Sequence, residues 1–345
     1  MLPNLRQLHH FLSAMRIFAT PILLVLSLCS GSAGAAWVSS TVPGQSVLSG
    51  IDSPNAVALA SGARILVVGS STQALVTSVN PDTGEVIAKI ALSGQPKALA
   101  VNSSGTRVYV VTAGSGNILV LDLPSAKVVA TWPIGGELSA LALKSDDSEV
   151  VVGDESGKRI VSINPVTGGI NKQLALTETA IQLAYGQTDT RLLIGTKQGN
   201  LTTLDAGAWS LVSNVHIGSR VHGLAWWQAG GLAAAVQRDQ DGMSLVDVER
   251  GIIVWQGLID GRPSGITLNP LQGTAYASTL DDFSANVVDL GGQSVKGRYT
   301  LQSPAGGMAF DSTTQNLLIT QPKNNQIVRI DPAQSPLVGE LQLNK

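Results

Sequence analysis

The chain repeats itself about every 42 residues, and a short repeat of this kind constrains the possible folds more than any other feature of the sequence. One repeat reads Gln95-Pro96-Lys97-Ala98-Leu99-Ala100-Val101, Thr106-Arg107-Val108-Tyr109-Val110-Val111-Thr112, Asn117-Ile118-Leu119-Val120-Leu121-Asp122 and Ala126-Lys127-Val128-Val129-Ala130-Thr131. Each piece is a short apolar or β-branched run, and turn residues separate the pieces, as in a four-stranded meander. The first-strand motif recurs at Pro54–Leu59, Leu138–Leu143, Ala180–Tyr185, Val221–Trp226, Pro263–Leu268 and Ala305–Phe310. An independent column of short polar residues falls at Asn80, Asp122, Asn164, Asp205, Asp247, Asp289 and Asp331, with spacings of 42, 42, 41, 42, 42 and 42.

Each column has a physical reason. A carboxylate or amide at a strand end can close an Asx turn on the backbone two residues on. The seven polar residues are therefore expected to act as hairpin turns and not as a shared metal ring. Ala56, Ala98, Ala140, Gly223, Gly265 and Gly307 keep the first strand small, as sheets crowded around an axis require. Gly is enriched, at 37 of 345 residues, and aromatics make up only 4 %, which suits many turns and an aliphatic core. The expectation is an all-β, seven-bladed β-propeller with four-stranded antiparallel blades, forming one domain over 37–345 with its repeats in 50–343. Leu337–Leu343 reads as the outer strand of the last blade, and Trp37–Val42 as a strand that could clasp it, which leaves the mode of ring closure open.

Residues 1–36 have a different character. Arg6 and Arg16 precede the apolar run Pro21–Cys29 and the small-residue stretch Ser30–Ala36, which contains the pattern Ala33-Gly34-Ala35. These are the parts of a cleavable secretory signal, and Met15 offers a second possible start. The apolar run is about half of the ~20 residues a membrane span needs. Leu28 stands where an acylated lipoprotein has a small residue, so secretion without a lipid anchor at Cys29 is expected. Cleavage would remove the only cysteine, which fits a periplasmic or secreted location. It would also take the formal net charge from −2 to −4, because two arginines and no acids leave. An acidic chain gives no reason to expect a nucleic-acid partner.

The second repeat, with Arg107–Thr112, Ile118–Asp122 and Lys127–Gly135, resembles the YVTN-type β-propeller repeats of secreted bacterial and archaeal proteins. The eponymous tetrapeptide is altered here to Tyr109-Val110-Val111-Thr112, and the Trp-Asp pair of WD40 repeats is absent. The resemblance implies a periplasmic or surface propeller that binds something. Its relatives include binding proteins, lactonases and propellers that carry haem or quinone.

The chain has no haem-attachment motif, nucleophile elbow or phosphate loop. His216 and His222 survive signal removal, but they fall on an outer and an inner strand. Asp146-Asp147 is expected in a solvated turn and Trp226-Trp227 in blade packing. Propellers present ligands on loops that enter the first strands and join second to third strands. The entry column reads Asn55, Lys97, Ser139, Ile181, His222, Ser264 and Gly306. Charge concentrates in blades five and six, where Arg220, His222, Arg238, Asp239, Asp241, Asp281 and Asp282 form the candidate face. The expected function is a non-enzymatic binding or scaffold module for a protein, peptide or small polar ligand, with no cofactor. The rival reading is a lactonase-like hydrolase or a cofactor-dependent accessory oxidoreductase.

Overall fold

Seven antiparallel sheets follow one another along the chain in the computed structural model, which describes residues 35–186 and 188–339. Six sheets are four-stranded meanders, each ordered from an inner strand outward. The inner strands are Pro54–Ala60, Pro96–Val101, Leu138–Leu143, Ala180–Tyr185, Val221–Trp227, Pro263–Asn269 and, in blade seven, Met308–Asp311. The architecture is the expected seven-bladed all-β propeller. Helical structure among the described residues is limited to three single 3₁₀ turns, at Gln228–Gly230, Arg238–Gln240 and Pro322–Asn324.

The core is divided into seven apolar clusters, one at each junction between neighbouring blades. This follows from the strand pattern. In an inner sheet both faces meet a neighbouring blade, so the second and third strands read as nearly continuous apolar runs, such as the fully buried Val150–Asp154. The paired tryptophans serve adjacent junctions. Trp226 is buried in the cluster between blades four and five, and Trp227 packs into the next one while donating to the Pro270 carbonyl at 3.2 Å.

Ring closure differs from the expected outer strand at Leu337–Leu343. Gln45–Ser49 fills that place, pairing antiparallel with Gln326–Ile330, and Val38–Ser39 adds a fifth strand outside it. The physical reason lies in the side chains. Leu48 is fully buried between blades seven and one, whereas Pro336 interrupts the C-terminal segment and Ser335 is held by the Pro43 carbonyl at 3.1 Å. Val338 instead bridges to Arg298 on the outer strand of blade six. Residues 340–343 of the expected strand, like residues 1–34 of the expected signal, lie outside the described residues.

Side chains reinforce the seam. Arg64 of blade one donates to Asp311 of blade seven at 2.9 and 2.7 Å and also pairs with Asp82. The Trp37 indole donates to the Pro81 carbonyl at 2.9 Å and lies under the Arg329 guanidinium, 4.5 Å from the ring centre. The Asx column forms as expected: Asn80, Asn164, Asp205, Asp247 and Asp331 each accept the backbone N–H two residues on. Asp122 and Asp289 accept the N–H three residues on.

Candidate functional site

The inner strands of blades one to six begin with an irregularity that determines what the central channel presents. In blades one to six the pairing of first and second strands slips by one residue, leaving Asn55, Lys97, Ser139, Ile181, His222 and Ser264 unmatched. A β-bulge of this kind re-aims a side chain. All six line one cavity on the channel axis, together with Gly306 of blade seven. Six of the seven positions in the entry column found by sequence spacing are thus bulges around the hub.

The cavity has a volume of about 460 Å³. Beneath the bulge residues lies the small column, Ala56, Ala98, Ala140, Gly223, Gly265 and Gly307, with Gln182 at the blade-four position. Val57, Leu99, Leu141, Leu183, Leu224, Ile266 and Met308 then form an apolar ring. Leu99 also borders a second cavity lined by Leu59, Val101 and Lys144. A polar mouth thus opens onto an apolar floor.

Arg238 is the one side chain from a second-to-third-strand loop of blade five that reaches this cavity. It opens the 3₁₀ turn Arg238–Gln240, and Asp241 ends that turn in the left-handed region at φ 47°. Its Nε is buried and has no hydrogen-bond partner among the described residues. Its guanidinium, like that of Arg220, is in no ion pair there, unlike the basic groups of Lys97, Arg262 and Arg298. Lys97 pairs with Glu155 at 2.6 Å, Arg262 with Asp281 at 3.5 Å and Arg298 with Asp282 at 2.8 Å. Burial, with Arg262 and Arg220 nearby, lowers the pKa of Arg238 from its ordinary value, and Asp239 opposes that shift.

His222 shares this environment. Its backbone carbonyl accepts from Gln182 Nε2 at 3.1 Å, which ties blade four to blade five. Its Nε2 is buried without a partner among the described residues. Burial first, then the positive charge of Arg238, depresses the imidazole pKa to about 4, with Asp239 opposing and Arg220 adding a smaller lowering.

The sequence-derived face therefore separates into two groups. His222 and Arg238 line the cavity, and the charges of Arg220 and Asp239 act on both. Asp241, Asp281 and Asp282 do not line it. Asp241 accepts the Arg262 backbone N–H at 2.7 Å. Asp282 accepts from Thr279, Ser284 and Arg298, which holds the tip of a blade-six hairpin. Two residues near the mouth were not singled out from sequence. Leu280 lines the cavity directly after the strand Thr274–Thr279, and Arg262 sits one residue before the blade-six inner strand. Their loop positions were legible, but an apolar residue beside a pair of acids gives no signal of its own.

His216 lies at the end of the outermost strand of blade four, where Nδ1 meets Asn200 Oδ1 at 2.8 Å, so the two histidines occupy opposite edges of the propeller wall. Among the described residues no group of three or more His, Cys, Asp or Glu is arranged to hold a metal ion. No helix among them is long and apolar enough to cross a membrane. The fold and the hub define a seven-bladed β-propeller with a polar-mouthed central cavity. Compared with protein-family models and with curated proteins, the chain matches none.

Proposed function

We propose that the protein is a non-enzymatic binding propeller of the YVTN repeat kind. It acts in the periplasm or after secretion and holds a protein, peptide or small polar ligand at the channel mouth on its loop face. The observation that carries this reading is Arg238: a cavity-lining guanidinium with a buried, unbonded Nε and no ion-pair partner among the described residues. Buried polar groups are ordinarily satisfied, and an orphan in a concave pocket marks a place for a ligand atom. Support for the location comes from the charge, apolar run and small-residue pattern of residues 1–36 and from the absence of cysteine after them.

The test is native mass spectrometry, with a visible-absorption spectrum and metal analysis, on protein purified from the periplasm or medium of its own host. The expected result is a non-covalent species that stays with the wild type and is lost from the Arg220→Gln/Arg238→Gln double variant. A chromophore, a stoichiometric metal or an adduct indifferent to the double variant contradicts the reading.

A further inference from the structure

The cations around the mouth are not equally free. Lys97 and Arg262 each have a carboxylate within 3.5 Å, at Glu155 and Asp281. Arg220 and Arg238 enter no ion pair among the described residues, and of these two Arg238 lines the cavity. Two buried nitrogens at this sector lack partners, Nε of Arg238 and Nε2 of His222. An acceptor placed at this sector would satisfy the guanidinium and, in the tautomer protonated at Nε2, the imidazole N–H as well.

An oxyanion with two oxygens in one plane meets that requirement, because the guanidinium fork pairs with it through parallel N–H bonds. The surroundings favour a carboxylate over a phosphate. One guanidinium faces the cavity, with Arg220 beside it and Asp239 opposing both, which suits one negative charge better than two. The cavity wall carries the apolar Leu224, Ile266, Leu280 and Ile181 beside the polar Ser264 and Gln182. The same wall accepts a hydrocarbon body, and about 460 Å³ lies within the size range of small-molecule sites.

Building on the binding reading above, we propose that the hub binds a carboxylate carrying an apolar body. In this arrangement the carboxylate oxygens take the Arg238 and His222 nitrogens, and the hydrocarbon lies against Leu224, Ile266 and Leu280. A free aliphatic acid and the C-terminus of a peptide ending in apolar residues present this same chemistry.

Calorimetric titration with four probes tests the proposal: hexanoate, an apolar tetrapeptide with a free C-terminus, the same tetrapeptide amidated, and inorganic phosphate. The expected result is binding of hexanoate or of the free-acid peptide, whichever source fits. Phosphate and, where the peptide binds, its amide should be at least tenfold weaker. Arg238→Gln should weaken the bound probe tenfold or more, and Arg238→Lys, which keeps charge but loses the fork, should fall between. Arg238 donates no side-chain hydrogen bond within the protein among the described residues, so both variants are expected to keep the wild-type circular dichroism and melting profile. Equal binding of free acid and amide, tighter binding of phosphate, binding unchanged by Arg238→Gln, or no binding of either carboxylate overturns the proposal. If no carboxylate binds but the double variant still loses a host-derived species, the ligand class is wrong and the binding reading survives. If that species is also retained, both fail.

Discussion

His222 is held neutral at ordinary pH by its position, since burial and two neighbouring arginines bring its pKa down to about 4. The ordinary value of 6.5 applies in the unfolded chain, so on acidification the unfolded state takes up the proton first. Stability associated with this group is therefore complete above the ordinary value and declines as pH falls from 6.5 toward 4, below which both states are protonated. A bound carboxylate reverses the local field and raises the imidazole pKa. An NMR titration of the His222 ring is expected to give a midpoint near 4 in the free protein and a higher one with saturating hexanoate. A midpoint at the ordinary value without ligand would remove the crowded, cationic hub from the account. Asp311 carries a lowered pKa for the opposite reason. Burial alone would raise it, and its bonds from Arg64, Thr314 and the Thr313 backbone outweigh that effect. Its contribution is present above the ordinary carboxylate value and is lost only in stronger acid.

At the scale of the element, the turn joining first to second strands repeats a left-handed residue in every blade: Arg64, Gly105, Asp147, Asp189, Gly231, Gly273 and Gln315. In blades two, five and six glycine meets the backbone need alone. In blades three and four an aspartate meets it and also reaches the preceding blade. Asp147 accepts from the Ser103 backbone and hydroxyl at 3.0 and 2.6 Å, and Asp189 from those of Ser145 at 2.8 and 2.7 Å. Asp189→Gly keeps the turn and removes the latch, so it should cost about 1 kcal/mol, the usual net worth of such bonds near the surface. Urea unfolding measures this, and an unchanged midpoint would make the contact incidental.

The sequence made the blades and their turn column legible because both follow a fixed spacing imposed by strand periodicity. It made the hub column legible as positions. That those positions are bulges was not readable, because one unmatched residue leaves no mark on the apolar pattern. The separation of the candidate acids was hidden for a related reason. Asp281 and Asp282 are chemically alike in sequence, and only the fold shows one paired across a loop with Arg262 and the other capping Thr279 and Ser284.

For the whole molecule, everything at the hub depends on a closed ring, since seven inner strands face one axis only if blade seven is joined to blade one. Closure was also the least legible feature, because Gln45–Ser49 lies about 280 residues from its partner strand, outside the repeat ruler. Its Leu48 side chain is fully buried, a burial worth roughly 2 kcal/mol, and Arg64–Asp311 and Trp37–Arg329 fasten the same seam. Amide hydrogen exchange in a chain beginning at Trp37, compared with one beginning at Gly50, tests this closure most directly. Slow exchange is expected across Gln326–Ile330 in the longer chain. In the shorter chain protection should be lost there and in the facing strand Ile65–Ser70, with a lower melting temperature. Equal protection in the two chains would contradict closure by the N-terminal strand, and with it the arrangement of the hub.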